Sequence, residues 1–139
     1  MTTKPERTTK IKVIMDANAF FVPAQLKIDI FQELKTLLNR NFELVLLKPV
    51  KEELRTLAEQ GSTEMRKKAS YALKLAEKCM IVDVEEESGV PDDLILRIAG
   101  RWNCPVFTND SELRKKLRNI NVPVIYVRQK SRLEMDGRL

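Results

Sequence analysis

Histidine is absent from the chain, and that one absence removes Ser-His-Asp and Cys-His nucleophilic sites, imidazole acid–base catalysis and His-ligated zinc. Any hydrolytic chemistry must run through carboxylates. The only two cysteines, Cys79 and Cys104, lie far apart among apolar neighbours. They read as buried thiols rather than a disulfide or a zinc site, which suits a reducing cytoplasm. No apolar run approaches the ~18 residues that a membrane span needs. The opening MTTKPERTTK carries basic charge with no apolar segment behind it, so the expectation is a cytoplasmic chain with no membrane span and no cleaved export signal. Glycine is scarce at four residues, while 43% of the chain is hydrophobic, which argues against disorder.

What remains is a chain of 139 residues, enough for one domain with a real core. Its 25 basic against 20 acidic residues give a net charge of +5 and a pI near 9.3, pointing to an anionic partner such as nucleic acid. Lys-rich and Glu-rich surfaces also arise as a thermophile habit, so charge alone decides little.

Apolar runs that alternate with helical patterns organise the chain. Ile11, Val13, Ile14 and Met15 form a strand that ends on Asp16, with Asn18 close behind. Phe20, Phe21 and Val22 can pack over the sheet edge, and Pro23 is expected to stop regular structure. Ile28, Ile30, Phe31, Leu34, Leu37 and Leu38 recur at helical spacing. FELVLL at 42–47 is a second strand, and Pro49 opens a helix that Gly61 closes. A further helix follows from Ser62. MIVDV at 80–84 makes a third strand with Glu85 to Glu87 as an acidic exit, and Ser88 to Pro91 turn into a helix. CPVFT at 104–108 and VPVIYV at 122–127 supply the fourth and fifth strands. Residues 1–10 are expected to be a flexible basic arm, 11–130 a single domain, and 131–139 a basic, partly ordered tail.

Strands alternating with helices imply right-handed crossovers and a parallel sheet whose strand ends and helix starts share one edge. Asp16, Glu53, Asp92 and Asp110 all fall there. At ~100° per residue, Glu53 lies on the margin of its helix's apolar stripe and Glu52 on the solvated side; Asp92 and Asp93 divide in the same way. Each acid also has a plain structural explanation: an Asx turn for Asp16, a favourable charge at a helix start for Asp92, a helix N-cap for Asp110. Brought together, four carboxylates would repel and protonate unless a cation held them, which points to Mg²⁺ or Mn²⁺.

The motifs VIMDANAF, PVKEEL, VPDDLILRIA and VFTNDSELRKKL, in this order, resemble the PIN-domain ribonucleases over nearly the whole chain, from Lys12 to about Arg128. The resemblance implies a three-layer α/β/α PIN-like domain with a five-stranded parallel sheet and an acidic metal site that cleaves single-stranded RNA. It matches Asp16, Glu53, Asp92 and Asp110 to the family's acids, with Asn18, Asp93, Thr108, Asn109 and Ser111 in support. The opening DANAFFVPAQLKIDIF and the ending VIYVRQKSRL look closer to the archaeal and ribosome-processing branch, which implies precursor ribosomal RNA and a pre-ribosomal partner. The VapC-type toxin branch comes second, and would imply transfer or messenger RNA and an antitoxin partner.

RNA phosphates would fall to Arg114, Lys115, Lys116 and Arg118 after the last acid, and to Arg128, Lys130 and Arg132 near the end of the chain, although a solvated face explains any one of them. A homodimer with a longer groove is a further expectation. Two other classes stay open. A non-catalytic RNA-binding or assembly factor on the same fold would bind RNA without metal-dependent cleavage. A phospho-receiver domain would want an acidic pair before its acceptor and a lysine after the last strand, where this chain has Met15 and Arg128.

Overall fold

The structure, a computed structural model, describes residues 10–84 and 90–139. The expected N-terminal arm, but for Lys10, and the acidic exit Glu85 to Glu87 lie outside the described residues. One sheet runs through the molecule in the order β3-β2-β1-β4-β5-β6. Its strands are β1 (Ile11–Met15), β2 (Phe42–Leu47), β3 (Met80–Val82), β4 (Val106–Phe107), β5 (Val124–Arg128) and β6 (Arg132–Asp136). The first five pair in parallel, and β6 returns antiparallel to β5. Consecutive residues Val13, Ile14 and Met15 are all fully buried. Since neighbouring strand residues point to opposite faces, both faces of the sheet are covered, as a three-layer α/β/α domain requires.

The helices are α1 (Val22–Leu26), α2 (Ile30–Leu38), α3 (Lys48–Gln60), α4 (Thr63–Ala76), α5 (Pro91–Trp102) and α6 (Ser111–Asn119). Their starts follow ordinary capping chemistry. The Asp29 carboxylate accepts the amides of Phe31 and Gln32, and the Ser62 hydroxyl accepts that of Met65. Pro49 and Pro91 occupy first-turn positions, where a missing N–H costs nothing. Pro23 departs from expectation for the same reason. It does not stop regular structure but sits at the start of α1, a single short helix that continues the 3-10 turn Ala17–Phe21. No helix among the described residues is long and apolar enough to cross a membrane.

The segment after β5 is the main departure from the sequence reading. Arg132–Asp136 is not a partly ordered tail but a strand of the sheet. Its alternation decides which side faces what. Leu133, 4% exposed, turns into the core, and its backbone amide donates to the Glu33 carboxylate on α2. On the other face, Glu134 accepts from Arg128 and Arg132, and Asp136 bridges Arg114 and Arg118 of α6. Gly137, at φ 101°, ends the strand, and a side chain there would strike the Arg118 guanidinium. Leu133→Ala is therefore expected to destabilise by about 2–5 kcal/mol, the cost of emptying a closed core position. Chemical denaturation checks this; a change near zero would mean that the last strand adds nothing to the core.

The strand order sets the site. From β1 the chain first builds outward through β2 and β3, then crosses back to place β4 on the other side of β1. The crevice between the C-terminal ends of β1 and β4 is thus a topological switch point, where open α/β sheets bind ligands. Asp16 and the run Thr108 to Asp110 stand directly at those two ends.

Candidate active site

Asp16 caps the 3-10 turn that leaves β1, and its backbone amide still donates to the Phe107 carbonyl, which fixes the residue against β4. Its side chain is only 5% exposed, the rarest placement for an aspartate. Three donors meet it. The Ala17 amide reaches Oδ1 at 2.8 Å; the Thr108 hydroxyl and the Asn18 amide reach Oδ2 at 2.6 and 3.0 Å. Burial raises the Asp16 pKa, the Thr108 bond pulls it back, and the charges of Asp92 and Asp110 push it up again.

Thr108 and Asn109 couple the strand ends. The fully buried Thr108 hydroxyl donates to Asp16 and accepts the Asp110 amide at 3.1 Å. The Asn109 amide donates to Asn18 Oδ1, and its side-chain oxygen accepts the Val127 amide at 2.9 Å, so one residue ties the first acid's turn to β5. Thr108→Val, close in size, would leave the Asp110 amide without its acceptor and strip Asp16 of its shortest bond. A loss of about 1–3 kcal/mol is expected from such an unsatisfied buried group. Urea unfolding reads it directly, and an unchanged midpoint would mean that water replaces the hydroxyl at no cost.

The other acids arrive on helix starts. Asp110 is the N-cap of α6 and spends only Oδ1 on the Glu112 and Leu113 amides. Its structural role and a site role are compatible, because the second oxygen takes no part in the cap. Asp92 is half-buried in the first turn of α5, and Asp93 beside it is exposed, as the angular argument expects. Burial raises the Asp92 pKa, Asp110 and Asp93 add to the rise, and the Lys116 ammonium opposes it. Glu53, in the second turn of α3, is exposed at the rim. Partial desolvation raises its pKa, followed by the charges of Asp16 and Asp92. Glu52 points away and pairs with Arg55 at 3.6 Å.

Asp16 therefore lies in the fields of Asp92 and Asp110, and Glu53 in those of Asp16 and Asp92. The four acids do not form a closed cage: among the described residues, no three acidic, histidine or cysteine side chains stand together tightly enough to hold a metal ion as they are. The donor set itself fits a hard divalent cation, since it offers only carboxylate oxygens, with one rigid member in Asp16 and more exposed partners in Glu53 and Asp92. Neither cysteine competes as a nucleophile. Cys104 is buried, and desolvation pushes the Cys79 thiol up to about 12, leaving it protonated at neutral pH.

The basic residues divide into two groups. Arg114, Arg118, Arg128 and Arg132 are engaged with Asp136 and Glu134. Lys115, Lys116 and Lys130 are exposed, and Lys116 acts on Asp92. Ser111 is exposed at the start of α6 and lines an open cavity of about 690 Å³ beside the acids, with Thr108, Asn109, Arg114, Tyr126, Arg128, Gln129 and Lys130. Sequence reasoning passed over Tyr126 and Gln129. The alternation of β5 carried the signal for Tyr126, whose face is opposite that of the buried Ile125.

A family model described as PIN like domain matches residues 13–130. Ribonuclease VapC4 of Methanocaldococcus jannaschii is 35% identical over 127 residues, covering 91% of this chain and 97% of that protein. Ribonuclease VapC9 of Archaeoglobus fulgidus is 27% identical over 128 residues, 91% of each. Among solved structures, that of the PIN domain endonuclease Utp24 superposes with a TM-score of 0.78 at 26% identity over 92% of each chain. A chain of VapBC2 from Rickettsia felis, at 16% identity, shares the fold alone, with a TM-score of 0.63 over 85% of this chain.

Proposed function

This chain belongs to the PIN like domain family, and on that footing we propose that it is a metal-dependent endoribonuclease that hydrolyses phosphodiester bonds in single-stranded RNA. The observation that carries the reading is Asp16: a buried carboxylate at the switch point of the sheet, held by Thr108 and Asn18 and raised in pKa by burial and by Asp92 and Asp110. Fixing an acid there against its own desolvation is a cost that a purely structural turn does not require, since an exposed Asx turn would serve as well.

Asp16, Glu53, Asp92 and Asp110 would hold Mg²⁺ or Mn²⁺. Such an ion, when bound, supplies a water of lowered pKa and neutralises charge on phosphate oxygens. The chain's own part is positional. Thr108 and Asn18 fix the Asp16 carboxylate, α6 fixes Asp110 through its cap, and Lys116 tempers the negative charge at Asp92. The exposed Lys115 and Lys130 would meet a phosphate backbone.

Two ribonuclease roles are open to such a site. The VapC names of both curated relatives, which match nearly their whole length, favour the toxin of a toxin–antitoxin pair. The resemblance of DANAFFVPAQLKIDIF to the ribosome-processing branch favours precursor ribosomal RNA with a pre-ribosomal partner, and in either role pairing into a homodimer would lengthen the groove. Incubating the purified chain with single-stranded RNA in Mg²⁺, Mn²⁺ or chelator tests the activity. Metal-dependent internal cleavage is expected; RNA that binds but stays intact with either ion would leave an RNA-binding scaffold. RNA affinity in chelator should fall steeply with salt as phosphate contacts release counterions. A salt-insensitive dissociation constant would rule out the lysine contacts.

A further inference from the structure

The cavity beside the acids has a built wall. Tyr126 and Glu134 stand opposite each other across the β5–β6 pair, and the Tyr126 hydroxyl donates to Glu134 Oε1 at 3.3 Å. The Arg114 guanidinium lies over the Tyr126 ring, its carbon 3.7 Å from the centroid. Its Nε donates to Asp136 Oδ2 at 2.9 Å. Ring and guanidinium are thus both anchored by carboxylates of β6 and form a stacked pair ordered before any ligand arrives. The Arg114 side chain is still 33% exposed and lines the cavity together with Thr108, which bonds Asp16, and Asn109, which precedes Asp110.

The turn between β5 and β6 adds a second observation. Gln129 and Lys130 both adopt left-handed backbone, at φ 55° and 57°. Asn-Gly meets that geometry without strain, whereas two long polar side chains do not. The strain sits where both side chains line the cavity, and strain concentrated at a ligand-facing turn points to recognition.

We propose that this cavity is a nucleotide subsite in which the open face of the Arg114 guanidinium, backed by Tyr126 and held by Asp136, stacks on one nucleobase of the strand passing the acid cluster. Asp136 takes the Nε edge that arginine offers to a bidentate anion, and Tyr126 covers one face of the guanidinium. Together these favour a base on the other face over a phosphate gripped through Nε. The guanidinium's remaining flat surface suits an aromatic base, and stacking on guanidinium planes is a standard means of holding splayed single-stranded bases. Lys130 then takes the adjoining phosphate. The inference rests on the ribonuclease reading for its substrate class, but its tests do not depend on cleavage.

Binding of a fluorescein-labelled six-nucleotide RNA is measured in chelator, against an abasic hexamer with the same phosphates. Arg114→Lys keeps the charge and loses the plane. It is expected to weaken the RNA about tenfold and leave the abasic hexamer unchanged; equal losses on both, or none on either, overturn the subsite. The wild-type chain supplies a second measurement that needs no variant. With 2-aminopurine placed at each position of the hexamer in turn, fluorescence should rise on binding at one position, where the base leaves its quenching neighbours for the guanidinium plane. No rise at any position overturns the proposal. A position-specific rise without cleavage in Mg²⁺ or Mn²⁺ would sink the nuclease reading and uphold the stacking site. Cleavage without such a rise would do the reverse.

Discussion

Asp16→Asn is expected to reduce RNA cleavage by more than about a hundredfold while leaving the protein folded, a larger loss than replacing an outer-shell partner usually brings. The fold survives because asparagine keeps the size of the side chain and one acceptor. That oxygen can take either the Ala17 amide or the Thr108 and Asn18 donors, not both sets. The new NH₂ then faces a donor, and an unmade buried bond costs about 1–3 kcal/mol. Against this, the variant no longer buries a charge near Asp92 and Asp110, so the net change in stability is small. Cleavage has no such compensation, since the anionic anchor of the cluster is gone. The measurement is single-turnover cleavage of a labelled RNA with thermal melts of both proteins. Wild-type rates in a folded Asp16→Asn protein would remove Asp16 from the chemistry, and the proposed site with it.

The sequence made this residue visible because its position breaks the pattern around it. Ile11 to Met15 are a buried strand, and an acid at its end must be satisfied by something. The helix-start acids were legible through Pro49 and Pro91, which fix where each helix begins and so which side of it Glu53 and Asp92 face. The five parallel strands followed from the same alternation of apolar runs, although β3 and β4 are shorter than their apolar stretches. The sixth strand was hidden. RLEMD alternates properly, but much of its polar face is satisfied by Arg114, Arg118, Tyr126 and Arg128, residues that reach it through tertiary folding. For the same reason the arginines resembled free phosphate contacts: their carboxylate partners were assigned to a tail. Asn109 shows the converse. It was grouped with the acids by motif, yet its bonds to Asn18 and Val127 show that it aligns three segments.

Stability should depend on pH and on divalent ions together. Asp16, Glu53 and Asp92 all have pKa values raised above 3.8 for aspartate and 4.5 for glutamate. The folded cluster therefore binds more protons than the unfolded chain, and stability falls as pH rises wherever that holds. The stabilising contribution is complete below about pH 4, near the unfolded values. It is lost as pH climbs through the higher folded values. Asp16→Asn removes the most buried member, so its melting temperature should gain on the wild type as pH is raised from 4 to 8. Adding Mg²⁺ or Mn²⁺ at pH 8 should restore the wild type by neutralising the same charges. At a hundredfold excess over the dissociation constant the gain is about 2.7 kcal/mol, or on the order of ten degrees for a domain of this size. At pH 4 protons displace the ion, and the shift should vanish. Thermal melts of both proteins across this range, with and without metal, give the test. An equal metal-induced shift in wild type and Asp16→Asn would mean that the ion binds elsewhere. A wild type whose melting temperature does not fall relative to the variant with rising pH would mean that the four acids do not share a field.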